Sequence, residues 1–295
     1  MSRIQGWAMV AATFVLGASS LAFGKTHVIY GEDDRRDLFD SKNNPRLVEL
    51  ARSTAIVVKK SDLKPATAAG KFTLPMETFG ESQNLCREEP FYDQPTPGFC
   101  SAFLVGDDLL VTAGHCITSQ TACDGTGFVF DFGYDYQGKD LGTIESEDVY
   151  YCKTLIKREQ DGGLGKDYAV VRLDRPVLGR EPVTLRRSGS VNPGSSVAVI
   201  GHPSGLPTKI TDGAKVRSND GKLPYFVANL DTYGGNSGSA VFNTQTWDVE
   251  GILVRGETDF VSRGSCVVSN KCAEGACRGE DVTKTSVFLS HIPAE

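Results

Sequence analysis

The sequence is short of several things, and each shortage narrows what the chain can be. Only four histidines occur in 295 residues, and the eight cysteines contain no Cys-x2-Cys pair. Structural zinc therefore has few ligands to draw on, and an even cysteine count reads better as disulfides. Positive charge is not in surplus either. The 31 basic residues face 37 acidic ones, a formal charge of −6, so nucleic acid is not an expected partner. No apolar run reaches the ~20 residues of a membrane-spanning helix. The N-terminal half keeps no 3.6-residue apolar rhythm, and 32 glycines with 13 prolines favour short strands joined by turns.

The longest apolar run, Trp7 to Leu16, follows Arg3 and precedes the small residues of Ser20-Leu21-Ala22. This is the pattern of an export signal cut near Ala22; a membrane anchor is the alternative, for which the run is too short. Residues 1–22 are thus expected to be removed, leaving a secreted or periplasmic protein with no membrane span. All eight cysteines lie after that segment, and an exported chain would pair them as four disulfides.

Residues 23–48 are polar, with the charged run Glu32 to Asp37 at their centre, and suggest a surface arm or propeptide. Strand candidates then follow at Thr54–Val58, Cys100–Phe103, Leu109–Thr112, Phe128–Phe130 and Tyr168–Leu173, with a weaker one at Leu141–Ile144. After a proline-bearing crossing at 172–195 come Ser196–Ile200, Pro224–Leu230, Ala240–Phe242, Val249–Val254 and Val282–Leu289. Two groups of about six short strands predict two antiparallel barrels or sandwiches.

One stretch is chemically pointed. In Asp231-Thr232-Tyr233-Gly234-Gly235-Asn236-Ser237-Gly238-Ser239, three glycines crowd one serine. Such a turn can aim two N–H groups beside a hydroxyl, although most Gly/Ser/Asn clusters are ordinary loops. A nucleophilic serine needs a base and an acid that orients it. Among the four histidines, His27 sits in the polar arm, His291 lies near the end of the sequence and His202 lies in a turn after a strand. His115 follows an apolar strand and precedes a cysteine, which makes it the candidate base; a satisfied structural histidine is the alternative. Asp167 opens an apolar strand, where it needs a partner unless it is an exposed turn residue.

Thr112-Ala113-Gly114-His115-Cys116, Asp167-Tyr168-Ala169-Val170-Val171-Arg172-Leu173 and Gly234-Gly235-Asn236-Ser237-Gly238-Ser239 resemble the three signature blocks of chymotrypsin-fold serine peptidases, in that family's order. Asn236 before the serine, and the start Val28-Ile29-Tyr30-Gly31-Glu32-Asp33-Asp34-Arg35, resemble its bacterial glutamyl-endopeptidase branch. The resemblance implies an all-β fold of two antiparallel six-stranded barrels with the site between them. It implies residues 28–175 as an arm and first barrel carrying His and Asp, and 176–295 as a second barrel carrying Ser. Residues 23–27 would be a short propeptide, with cleavage after His27 placing a new amine at Val28 near the pocket.

By the same resemblance Ser237 is the nucleophile, His115 the general base, and Asp167 the orienting acid. The amides of Gly235 and Ser237 form the oxyanion hole, and Cys100–Cys116 clamps the histidine loop. No metal or cofactor is called for, and the partners are protein or peptide substrates.

Gly251 to Gly256 resembles the strand that pairs with substrate, which places Leu253, Val254, Arg255 and Gly256 at the pocket. Leu253 stands where the glutamate-cleaving branch carries a histidine, and this weakens acidic specificity. Asp231 stands where trypsin has its pocket-floor acid and favours Arg or Lys, unless Arg255 neutralises it; Thr232 lines the same pocket. Tyr233 reads as a surface aromatic, and 257–281 as an enlarged, disulfide-braced loop. The resulting expectation is a serine endopeptidase cleaving after Arg or Lys. Its alternatives are an endopeptidase of acidic or other specificity, a silent protein-binding member of the fold, and an esterase.

Overall fold

Residues 28–162 and 165–293 are described by the computed structural model; the expected signal peptide (1–22) and propeptide (23–27) lie outside them. β-branched and aromatic runs form the strands. Thr54–Lys59 (β1), Cys100–Gly106 (β2), Leu109–Thr112 (β3), Thr126–Phe130 (β4), Val149–Gln160 (β5) and Asp167–Leu173 (β6) close into a barrel in the order β5-β6-β3-β2-β1-β4. Ser196–Gly201 (β7), Lys209–Ser218 (β8), Tyr225–Ala228 (β9), Ala240–Asn243 (β10), Val249–Arg255 (β11) and Glu280–Lys284 (β12) form a second ring, β7-β10-β11-β12-β9-β8, closed by β7 on β8. All twelve pairings are antiparallel, so the chain is all-β with two six-stranded barrels.

A continuous apolar core joins them, running from Val57, Phe103 and Phe128 in the first barrel to Ile200, Phe242 and Ile252 in the second. Burying such side chains is the main favourable contribution to folding. It also fixes the barrels relative to each other, and hence the cleft between them.

Two strands escape the sequence pattern. β5 is buried only over its first residues and then runs out polar, while β8 alternates Ala214 and Val216 with Lys215 and Arg217. The expected strand at Leu141–Ile144 reduces to Ile144–Glu145, and the one at Val282–Leu289 starts earlier and stops at Lys284. The eight cysteines pair as Cys86–Cys266, Cys100–Cys116, Cys123–Cys152 and Cys272–Cys277.

The N-terminal arm is not a solvated extension. Val28 and Ile29 are fully buried, Ile29–Tyr30 pairs in parallel with Lys271–Cys272, and Arg36–Asp37 adds an edge strand to β8. Arg35, in the middle of the charged run, is buried too. Its guanidinium pairs with Asp33 at 2.6 Å and stacks 3.9 Å over the Tyr233 ring, whose hydroxyl accepts from it at 2.8 Å. Tyr233 is correspondingly a buried residue and not a surface aromatic.

Asp231 holds this arm, which corrects its expected place on a pocket floor. Its Oδ1 accepts the Tyr30 N–H at 2.6 Å and its Oδ2 the Asp34 N–H at 3.1 Å, with 3% of the residue exposed. Burial, and then the Asp34 carboxyl beside it, push the Asp231 pKa up. A carboxyl shifted this way keeps its proton after the unfolded chain has lost it, so stability falls as pH rises above the ordinary value of 3.8. Asp231→Asn should therefore flatten the decline in melting temperature between about pH 5 and pH 8. Calorimetry showing the same slope in both proteins would mean that this carboxyl is ionised in the fold throughout that range.

Candidate active site

β3 ends at Thr112, and the chain turns at once through Ala113 to Cys116, where the Cys116 N–H closes on the Ala113 carbonyl at 3.0 Å. The Cys100–Cys116 bridge ties the far side of this turn to the start of β2. Gly114 is required by proximity, since a Cβ there would lie 2.5 Å from the Glu159 carbonyl and 2.8 Å from that of Tyr168. Pairing of Ala169 with Thr112 brings the start of β6 beside the turn.

Asp167 consequently reaches His115 twice: Oδ1 accepts its backbone N–H at 3.0 Å, and Oδ2 meets its ring Nδ1 at 2.8 Å. A carboxylate at Nδ1 requires the proton there, which leaves Nε2 as the acceptor. Asp167 is buried and the imidazole half-buried, with 14% of its side chain exposed.

The serine is presented by the loop before β10. Gly235 and Gly238 have φ of 89° and 95°, the left-handed region that side chains avoid. A Cβ on Gly238 would overlap the Ser101 carbonyl and the Thr112 hydroxyl, so the loop lies directly on β2 and β3. There the Ser101 N–H donates to the Ser237 carbonyl at 2.9 Å, and Cys116 Sγ sits 3.7 Å from that same oxygen. The serine loop thus docks on the disulfide that restrains the histidine.

Ser237 Oγ donates to the Val254 carbonyl at 3.5 Å and makes no hydrogen bond to the imidazole. Such contacts commonly tighten only when substrate is bound. Among the described residues, the amides of Gly235 and Ser237 donate to nothing. The Gly234 carbonyl, by contrast, accepts the Ser204 N–H at 2.6 Å. Asn236 staples the loop to itself, donating to Thr232 Oγ1 at 2.6 Å and accepting from Ser239 Oγ at 2.7 Å.

The expected pocket residues separate. Val254 offers its carbonyl to the serine, but Leu253 points into the second barrel's core, with its backbone paired to Gly238 and Ser239. Arg255 does not neutralise Asp231; its Nε pairs with Asp281 at 2.7 Å and an NH2 donates to the Gly165 carbonyl at 3.1 Å. Thr232 is buried and spends its hydroxyl on Asn236.

One residue the sequence reading missed is Glu280. Its carboxylate presses on Gly256, where a Cβ would overlap it, and its Oε1 accepts the Tyr30 hydroxyl at 3.0 Å. That contact, after burial, drives the Tyr30 pKa up. The signal available was the acidic pair Glu280-Asp281 opening a strand that is buried through Thr283.

Among proteins of known activity, the glutamyl endopeptidase of Bacillus licheniformis is 30% identical over 154 residues, or 49% of this chain. The match takes in 45% of that protein, so the chain spans less than half of its length. A solved Glu endopeptidase superposes with a TM-score of 0.52 at 14% identity, over 90% of this chain and 98% of its own, a likeness of fold alone. The active form of a Mycobacterium tuberculosis protease gives 0.48 at 15% identity, over 92% of this chain and 93% of that one. The trypsin-like peptidase domain matches residues 100–252, more than half of the chain and the span from the start of β2 into β11. The chain belongs to the trypsin-like peptidase domain family, whose members are serine-peptidase-type hydrolases.

Proposed function

We propose that the protein is an endopeptidase that cleaves peptide bonds through an acyl-enzyme on Ser237. The observation carrying this reading is the double hold of Asp167 on His115, which leaves Nε2 able to accept a proton. In the proposed cycle, His115 Nε2 takes the proton from Ser237 Oγ as the oxygen attacks the carbonyl carbon. Asp167 stabilises the imidazolium, and the amides of Gly235 and Ser237 receive the oxyanion. The imidazolium then protonates the departing amine, and water, deprotonated by the same nitrogen, releases the acid.

Ser237→Ala and His115→Ala should each lower turnover by about 10⁴-fold or more. A fluorophosphonate should label Ser237 stoichiometrically in the wild type and fail in His115→Ala. Normal hydrolysis by His115→Ala would remove that residue from the mechanism, and an unlabelled wild type would favour a protein-binding role.

For the residue on the acyl side of the cut, the name of the Bacillus licheniformis relative supports an acidic side chain. Cleavage between His27 and Val28 fits this reading. Val28 is fully buried and its carbonyl accepts the Thr232 N–H at 3.4 Å, so a new amine there would put positive charge near the pocket-side loop. A second reading, Arg or Lys, is favoured by the buried Glu280 carboxylate against Gly256. Digestion of a peptide library decides between them. Cleavage mainly after Glu or Asp, with active enzyme starting at Val28 by N-terminal sequencing, is the expected result. Cleavage after Arg and Lys that Glu280→Gln abolishes would establish the second reading instead.

A further inference from the structure

Asp259 is absent from every role assigned so far, yet it touches the nucleophile loop. It opens the hairpin of Phe260–Arg263 and Cys266–Ser269, which the Cys86–Cys266 disulfide fastens to the segment before β2. Its Oδ2 accepts the Gly234 N–H at 3.1 Å. The Ser204 N–H holds the Gly234 carbonyl from elsewhere, at 2.6 Å. Gly234 is therefore fixed through both of its backbone polar groups.

That matters because the Gly234 carbonyl and the Gly235 N–H share one trans peptide and point opposite ways. Holding the carbonyl on Ser204 aims the Gly235 N–H away from the Ser204 turn. Holding the Gly234 N–H on Asp259 fixes the preceding peptide, so both dihedrals of Gly234 are set from outside. Two successive glycines supply little such definition themselves.

The acceptor is itself well anchored. The Asn270 N–H donates to the Asp259 carbonyl at 2.7 Å, the Ile29 N–H donates to the Asn270 carbonyl at 3.1 Å, and the Thr232 N–H donates to Val28. These bonds form a ring from the nucleophile loop through the arm and the hairpin and back. Phe260 closes the same region by packing on Tyr233, with ring centroids 4.8 Å apart.

We infer that Asp259 is a positioning residue for the oxyanion-binding amide of Gly235, delivered to the site by the disulfide-tethered hairpin. The inference rests on the acyl-transfer reading of Ser237. Asp259 acts through Gly234 and contacts no reacting atom.

The test compares full-length wild type, Asp259→Ala, Asp259→Asn and Asp259→Glu. The readouts are peptide turnover, inhibition by a peptide boronate whose adduct mimics the tetrahedral oxyanion, and thermal melting. Loss of a whole oxyanion donor costs about 10²–10³ in kcat, so misaiming one should cost about ten- to hundredfold. Asp259→Ala should lose that much kcat and boronate affinity while KM moves by less than about threefold. Asn, which keeps an acceptor oxygen, should stay within about threefold of wild type.

Wild-type kcat in Asp259→Ala would overturn the inference, as would equal impairment of Ala and Asn, or a loss confined to KM. If Asp259→Ala does not fold, Asp259→Glu keeps the charge but displaces the acceptor by one methylene. It should lose kcat, and full activity would overturn the inference. A wild type that neither cleaves peptide nor takes a fluorophosphonate would overturn the acyl-transfer reading and this inference together. An active wild type with a silent Asp259 would sink this inference alone.

Discussion

The hydrogen bond from the Ser101 amide to the Ser237 carbonyl crosses from one barrel to the other, and the geometry of the site depends on it. Ser101 is fully buried and uses every polar group it has. Its carbonyl accepts the Thr112 hydroxyl at 2.7 Å, which holds the end of β3 just before His115. Its Oγ accepts the His202 N–H at 2.9 Å and donates to the Gly235 carbonyl at 3.4 Å. One small residue next to the Cys100–Cys116 bridge thus connects the histidine loop, the His202 turn and the serine loop through its backbone and side chain. A network this enclosed holds best if its members do not change charge. His202 meets that condition, because burial pulls its pKa down to about 3 and keeps the ring neutral.

The second barrel buries four acidic side chains, Asp231, Glu250, Glu280 and Asp281, and each has a partner. Asp231 takes two amides of the arm, Glu280 takes the Tyr30 hydroxyl, and Asp281 takes Arg255 and Arg278. Glu250 takes Arg186 and the Asn243 side chain. A buried charge costs several kcal/mol if left alone, so each acidic group that is ionised needs its partner in place. These pairings specify which segment may lie beside which. For the arm the effect is direct, because its register on the barrel is set by the acceptors waiting for Tyr30 and Asp34.

What could be read from the sequence divides along the same line. The pairing of His115 with Asp167 was legible because each sits in a short block at a turn or strand end. The barrels were legible where strands are buried on both faces. β5 and β8 were not, since their polar residues reflect solvent on one side. The surroundings of Asp231 and Tyr233 were not legible for a different reason. Asp231 finds its partner Tyr30 at a separation of 201 residues, and Arg35 finds Tyr233 at 198. Nothing local in Glu32 to Asp37 distinguishes a buried arginine from a solvated one. Spacing within one block cannot report which acid a distant arm will occupy.

This long-range dependence accounts for how a glycine-rich loop can be rigid enough for chemistry. Glycines lose more backbone freedom on ordering than any other residue, so the loop from Asp231 to Ser237 would be poorly defined by itself. Most of its positions are instead held by the arm, the hairpin or the first barrel. Asp231 is held by the arm's amides, Thr232 by the Val28 carbonyl, and Tyr233 by Arg35. Gly234 is held by Asp259 and Ser204, and the Ser237 carbonyl by Ser101. Donors that are fixed before substrate arrives need no reorganisation when charge develops, which is where preorganised amides gain over water. The glycines permit the left-handed turns that aim the amides, and the arm, the hairpin and the first barrel remove the freedom that glycine brings with it. Rigidity at Ser237 is in this sense a property of the whole fold's closure around the loop, more than of the loop's own sequence.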